Sequence, residues 1–255
     1  MVAKISINWK WPPLVGCFTI NALSEIIHVV YAIVRPSIVK EYADLNYGDQ
    51  STANVLSSAI GAVMVTMNLV LAPLGAALSE RYGNRKVVIL ASLITFISFQ
   101  LPWLLTDVTN LTGKQPLLDL ICYGIGGGVT LGMIFGPSTS ALQFYFEPEQ
   151  RGFATGLAVT GGPFSFLTFS WLVHQITGHY SWRAMFFITG AIFLNGVAAG
   201  LTYIKPKFQN NFSKKINYYY EDQNLLSKYF SLDLFKNTSF IFTLLSAAFS
   251  FASKF

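Results

Sequence analysis

The stretch YFEPEQRGFATGLAVTG, from Tyr145 to Gly161, joins a charged turn to a strongly apolar run. Its first half, Glu147 to Arg151, is polar and charged. An apolar run at 120–142 precedes it and another at 154–173 follows it, each about long enough for a membrane-spanning helix of roughly 20 residues. This pattern is typical of a short hinge between two hydrophobic helices, and the chain repeats it throughout.

The overall composition indicates a membrane protein. Hydrophobic residues make up 53% of the 255 residues and charged residues only 11%, against roughly 25% charged in a soluble domain. The mean hydropathy is +0.48. Both cysteines, Cys17 and Cys122, lie in apolar runs, which argues against a disulfide framework or a metal cluster. The basic residues separate apolar runs instead of forming a continuous surface, so we expect a lipid bilayer and not nucleic acid as the partner.

The apolar runs predict an all-α, polytopic fold with six transmembrane helices. We expect residues 1–206 to form a six-helix bundle, 207–236 a cytoplasmic loop, and 237–255 the truncated start of a seventh transmembrane helix. About 13 apolar residues in that last run are too few to span a bilayer. The six predicted spans are 14–34, 53–78, 87–105, 117–142, 154–173 and 184–203.

Lysine and arginine placement predicts the orientation. If the N-terminus is cytoplasmic, twelve basic residues fall on the inner side and four on the outer side, with Lys254 in the incomplete last run. The four outer residues are Arg35, Lys40, Lys114 and Arg183. This asymmetry favours a cytoplasmic N-terminus under the positive-inside rule.

Two segments resemble the monocarboxylate transporter family of the major facilitator superfamily. The first, APLGAALSERYGNRKV at 72–87, is similar to that family's loop between helices 2 and 3. The second extends from helix 4 to the end of helix 6. Its matching residues are Pro137, Ser138, Tyr145, Phe146, Arg151, Ala154, Gly156, Ala158, Gly161, Trp182, Arg183 and Pro206.

The resemblance implies the N-terminal half of a twelve-helix transporter that moves a small organic anion by alternating access, with or without a coupled proton, at the plasma membrane. Such a half implies further partners, namely a second half-transporter or an accessory membrane protein. A half-size membrane protein with an interaction or regulatory role, without transport, is the alternative. No nucleophile and base pair and no cofactor motif appears, so we expect neither an enzyme nor a bound cofactor.

The loop between the second and third spans combines a glycine with three basic residues. Gly83 permits a tight turn, while Arg81, Arg85 and Lys86 can satisfy helix-end carbonyls, pair with acids, or contact lipid phosphates. The resemblance implies that this loop is an inner latch of the transport cycle; a simple positive-inside anchor is the alternative. The resemblance also implies a structural role for Trp182 and Arg183.

Glu25 and His28 in the first span are the costliest residues to place in a membrane. Their i, i+3 spacing puts them on one helix face, and ionisable groups at membrane depth usually face the bundle interior or a water-filled cavity. A proton relay or substrate contact, mutual hydrogen bonding, and a metal site all remain open. Asn21 and Arg151 are further candidates for the pathway. The six glycines of the fourth span predict close helix packing there: Gly124, Gly126, Gly127, Gly128, Gly132 and Gly136.

Overall fold

Six helices that are long and apolar enough to cross a membrane make up the part of the chain described by a computed structural model, residues 10–45, 49–105 and 115–204. All the regular elements within these ranges are helices, which confirms the predicted all-α, six-span architecture. The six are α1 (Trp11–Asp44), α2 (Gln50–Tyr82), α3 (Asn84–Leu104), α4 (Gln115–Leu142), α5 (Pro148–Thr177) and α6 (Trp182–Leu201).

The predicted loop at 207–236 and the predicted seventh-helix start at 237–255 lie outside the described residues. The domain boundaries therefore stay predictions.

Local sequence sets where these helices begin and end. Pro12 and Pro13 occupy the first positions of α1, where a missing N–H costs nothing. Gly83 separates α2 from α3 with a φ of 90°, a conformation that side-chain-bearing residues rarely adopt. Ser181 caps α6 by accepting a hydrogen bond from the amide of Ala184.

Two helices are irregular in their interior. α4 contains a π-helical segment, Leu120–Gly126, between α-helical segments Gln115–Asp119 and Gly127–Leu142. α5 consists of Pro148–Val159 and Gly161–Thr177, with a break at Thr160. π-helical segments inside α-helices frequently occur at functional sites, and this one begins directly after Asp119.

The bundle is arranged around α1, which packs against α2, α4, α5 and α6. α3 packs against α4 and α6, and α2 packs against α4. Small residues allow α2 and α4 to approach closely, as the glycines of the fourth span predict: a Cβ on Gly75 of α2 would lie only 2.7 Å from the carbonyl oxygen of Gly132 on α4. Gly136 is the exception, because a Cβ at this position would have no heavy atom within 4 Å. α1 and α4 have the largest share of buried residues, and α2 and α5 the smallest.

The bundle has two chemically distinct ends. At one end, Lys10 forms an ion pair with Glu147, and the α2–α3 turn lies beside Tyr145 and Tyr203. We call this the basic end; its basic residues are Lys10, Arg81, Arg85, Lys86 and Arg151. At the other, the far end, the last turns of α1 meet the first turns of α4 and α6 through Glu41, Asp119 and Arg183.

Candidate functional site

Glu25 and His28 of α1 lie on one face together with Asn21. The spacing of Asn21, Glu25 and His28 is i, i+4 and i+7, which repeats about every helical turn. The Glu25 carboxylate lies 3.9 Å from Nδ1 of His28, and each side chain is a little over a quarter exposed. Asn21 is buried and donates a hydrogen bond of 2.8 Å to the carbonyl of Cys17. The predicted pair therefore exists as a contact, while the Asn21 amide nitrogen bonds within α1.

Glu25 faces the interrupted region of α5. A Cβ placed on Gly162 would lie 3.1 Å from Cγ of Glu25, so the absence of a side chain at Gly162 is what lets the glutamate pack there. Gly162 follows the break in α5 at Thr160. The arrangement puts a carboxylate of α1 against the one point at which α5 is not a continuous α-helix.

Arg151 lies on α5 nearer the basic end and does not join the Glu25–His28 pair directly. Eleven residues separate it from Gly162, about 16 Å along a helix axis. Its Nε donates to the carbonyl of Phe146 at 3.1 Å, and the side chain is exposed. It also lines an open groove of about 700 Å³ whose other polar side chains are Gln143, Thr155 and Thr160.

This groove contains one predicted pathway residue, Arg151, and extends towards the part of α5 that Glu25 contacts. It extends along α5 from Arg151 to Thr160 and Pro163, the residue after Gly162. A basic group thus marks one end of the groove, and the other end reaches the level at which Glu25 packs on α5. The groove is mostly apolar and contains one cation and three polar side chains. Near its far limit, the carboxylate of Glu25 lies beside the imidazole of His28.

The predicted motif at the α2–α3 turn is on the surface of the basic end. Arg81, Arg85 and Lys86 are all exposed, and the Arg81 guanidinium lies 5.3 Å from the centre of the Tyr82 ring. Arg85 and Lys86 line a smaller cavity of about 200 Å³ together with Tyr145 and Tyr203. The hydroxyl of Tyr145 donates to the carbonyl of Ile204, and burial raises the pKa of Tyr145 to about 12.

Asn84 fixes this turn to α4, a contact that the sequence did not reveal. It is buried and donates to the carbonyl of Pro137 at 2.8 Å and to Oγ of Ser140 at 3.0 Å. Because Asn84 directly follows Gly83, these two hydrogen bonds hold the turn against α4.

Trp182 and Arg183, predicted to have a structural role, converge on one carboxylate at the far end. Arg183 donates to Glu41 at 2.6 Å and the Trp182 indole donates to the other oxygen of the same carboxylate at 2.5 Å. The Arg183 guanidinium also lies 4.1 Å from the centre of the Trp182 ring. The arginine side chain is 8% exposed and the glutamate side chain 30%.

A second acid lies beside this pair and was missed by sequence reasoning. Asp119 is fully buried, and its Oδ2 accepts a hydrogen bond of 2.8 Å from the hydroxyl of Tyr42. Tyr123, four residues later, stacks on Phe186 with ring centres 4.0 Å apart. An acid within the predicted span 117–142 was the available signal, since the cost that singled out Glu25 applies equally to Asp119.

Comparison with known proteins agrees with this architecture. The sequence model of the Major Facilitator Superfamily matches residues 15–254. The chain is 23% identical to Monocarboxylate transporter 4 of Gallus gallus over 94% of its own length and 47% of that protein's. It is 28% identical to Monocarboxylate transporter 13 of Bos taurus over 76% of the chain and 41% of the relative. It is 27% identical to Monocarboxylate transporter 1 of Homo sapiens over 76% of the chain and 35% of the relative. The chain thus spans less than half the length of these relatives.

Proposed function

We propose a specific transport function from one premise: this chain belongs to the Major Facilitator Superfamily, a family of membrane transporters. A multi-pass membrane location follows from the family and the six apolar helices, and the family supports small-molecule transport as the activity of the complete protein. The protein moves a small organic anion of the monocarboxylate class by alternating access, with a coupled proton, across the plasma membrane, and its N-terminus is cytoplasmic.

The observation that carries this proposal is the groove along α5 that starts at Arg151 and ends at Pro163, next in sequence to Gly162, against which Glu25 packs. An exposed guanidinium attracts a carboxylate and can hold it by two parallel hydrogen bonds. The anion would then meet a carboxylate paired with an imidazole. Glu25 repels an anion when both it and His28 lack a proton, and this repulsion disappears when the pair takes up a proton. Substrate binding and proton binding would therefore favour each other.

The basic end supplies the elements for a moving gate. Gly83 and the two hydrogen bonds of Asn84 hold the α2–α3 turn in one conformation, while Arg81, Arg85 and Lys86 remain exposed for a partner surface. We propose that this turn is the latch on the cytoplasmic side and that a second helical bundle completes the site. Transporters of this general design rock two bundles about a central site.

Uptake of radiolabelled monocarboxylates at several external pH values tests the proposal, with the protein expressed from its complete reading frame. His28→Ala should abolish the pH dependence of uptake at unchanged surface expression, because the imidazole is the group in the pair with an ordinary pKa near 6.5. Arg151→Gln should raise the substrate concentration needed for half-maximal uptake. The matched control is His179→Ala, which removes an exposed histidine beyond the end of α5.

Unchanged pH dependence in His28→Ala would reject the proton-coupling part of the proposal, and unchanged uptake in Arg151→Gln would reject the anion-binding part. No uptake of any monocarboxylate at equal surface expression would reject the substrate class. The mass of the native product on a denaturing gel, against 28.2 kDa for this chain, tests whether the second bundle belongs to the same polypeptide.

A further inference from the structure

The charges buried at the far end do not balance. Among the described residues, the cluster that joins α1, α4 and α6 contains the carboxyl groups of Glu41 and Asp119 and one guanidinium, that of Arg183. Glu41 has two strong donors, since Arg183 and Trp182 bind its two oxygens separately. If both acids were ionised, the cluster would hold one net negative charge inside the protein.

Asp119 is the acid that cannot hold this charge at low cost. It is fully buried, whereas the Glu41 side chain is 30% exposed. Its carboxyl group has the Tyr42 hydroxyl as donor at Oδ2 and the Gln115 amide beside it, but the buried Oδ1 meets no donor in hydrogen-bond geometry within the described part of the chain. An ionised carboxylate that is buried and incompletely paired costs several kcal/mol, and such a group takes up a proton instead.

We propose that this cluster is a proton-binding site, in which Asp119 holds the proton on Oδ1 while Glu41 stays ionised against Arg183 and Trp182. The site is separate from the Glu25–His28 pair and does not depend on the proposed transport function. The reaction is a simple exchange: the Oδ1–H bond breaks to give a carboxylate and a proton, and no other group is consumed.

Tyr123 provides an independent observation for this assignment. Its side chain is 1% exposed, and its hydroxyl oxygen is the second buried oxygen near Asp119 with no hydrogen-bond partner within the described ranges. It follows Asp119 by four residues on α4, so both side chains lie on the same side of that helix. A carboxyl proton on Oδ1 needs an acceptor, and a hydroxyl oxygen that accepts no bond can serve through one bridging water.

Exchange with solvent would occur on the side of the cluster where Glu41 is partly exposed. The charged and titratable groups of the described residues that act on Asp119 or its partners are Glu41, Tyr42, Cys122, Tyr123 and Arg183, and the uncharged amide of Gln115 lies near them. A bound metal ion is a poor alternative, because no group of three or more histidine, cysteine or acidic residues converges within the described part of the chain.

Infrared spectroscopy of the purified protein in detergent tests this inference. We expect the carbonyl stretch of a protonated carboxylic acid at about pH 5, where an ordinary aspartate is ionised. The band should be shifted in heavy water and absent in Asp119→Asn. Glu147→Gln, at an exposed acid of the basic end, should leave the band unchanged. As the pH is raised, the band should disappear at a lower pH in Glu41→Gln than in the unmodified protein. Arg183 would then stabilise the ionised form of Asp119.

Absence of such a band in the unmodified protein, or its persistence in Asp119→Asn, would overturn the inference. If Asp119→Asn does not fold, Tyr42→Phe tests whether the protonated acid is Asp119. It removes the hydrogen bond to Oδ2, so it must shift the frequency of the same band, and an unshifted band would mean that the acid is not Asp119. None of these measurements requires transport, so they can succeed or fail independently of the proposed function.

Discussion

The guanidinium of Arg183 at the start of α6 lies 2.6 Å from a carboxylate oxygen of Glu41 near the end of α1. These residues are 142 positions apart in sequence, and their contact ties the first and last helices of the bundle together at the far end. Trp182 adds a hydrogen bond to the other oxygen of that carboxylate. The pair is mostly buried, which makes its loss costly.

Replacement of Arg183 by glutamine should therefore destabilise the bundle strongly. The change leaves the Glu41 carboxylate without its charge partner, and breaking a buried ion pair from one side typically costs about 3 kcal/mol or more. Thermal unfolding in detergent measures the effect. Lys10→Gln is the matched control. It removes the more exposed ion pair between Lys10 and Glu147, whose charged atoms lie 3.6 Å apart, and should cost at most about 0.5 kcal/mol. Equal unfolding temperatures for the two variants would contradict this prediction.

Gly132→Ala should force α2 and α4 apart. A Cβ at this position would lie 2.8 Å from the carbonyl oxygen of Asn68 and 3.1 Å from the amide nitrogen of Ala72, and neither backbone atom can move away alone. We expect a loss of about 1–3 kcal/mol of stability from this overpacking. Gly136→Ala, one turn along the same helix, places its Cβ where no heavy atom lies within 4 Å. It should be neutral or slightly stabilising in the same unfolding measurement, and equal losses for both variants would argue against close packing as the cause.

Gly83→Ala should strain the turn that carries the exposed basic residues. The φ of 90° at Gly83 lies where a side chain meets the backbone, at a cost of about 1–3 kcal/mol. The control is Gly152→Ala, at a helical glycine of α5 where an added Cβ would have no heavy atom within 4 Å. This variant should gain up to about 1 kcal/mol of stability. If transport depends on the turn, uptake should fall in Gly83→Ala alone. A stable Gly83→Ala protein would show that the turn tolerates another conformation.

The sequence predicted the number of membrane spans, and the helices that contain these spans are in part longer. Each span contains enough apolar residues to be recognised locally, but the helix that contains the predicted span 14–34 continues to Asp44. Arg35, Lys40 and Glu41 lie beyond the apolar run, and charged residues usually mark the end of a span. In the fold, Glu41 lies against Arg183 instead, and the helix continues past the apolar run.

The candidate site was predictable only where its residues are neighbours on one helix. The face with Asn21, Glu25 and His28 follows from helical spacing. The contact of Glu25 with Gly162 and that of Tyr42 with Asp119 join residues far apart in sequence, and no local pattern indicates which distant side chain a buried acid will meet. Asn84 was missed for the same reason, since its hydrogen bonds reach Pro137 and Ser140 on α4.

Alkaline pH should weaken the contact that Tyr145 makes between the α4–α5 turn and the chain after α6. Burial raises the pKa of Tyr145 from 10.0 to about 12, and its hydroxyl donates to the carbonyl of Ile204. The folded state therefore keeps a proton that the unfolded state releases earlier. The resulting stability is fully present below pH 10 and is lost as the pH rises towards about 12.

Titration of phenolate absorbance measures this directly. Tyr145→Phe should remove one late-titrating phenol and reduce the fall in thermal stability above pH 10. Burial also raises the pKa of Tyr203, so part of the late absorbance should remain in this variant. The control is Tyr180→Phe, at an exposed tyrosine, which should leave the late phase intact. If both variants lose the same phase, the hydrogen bond from Tyr145 to Ile204 does not hold the proton, and the turn at the basic end is more open to water than the structure indicates.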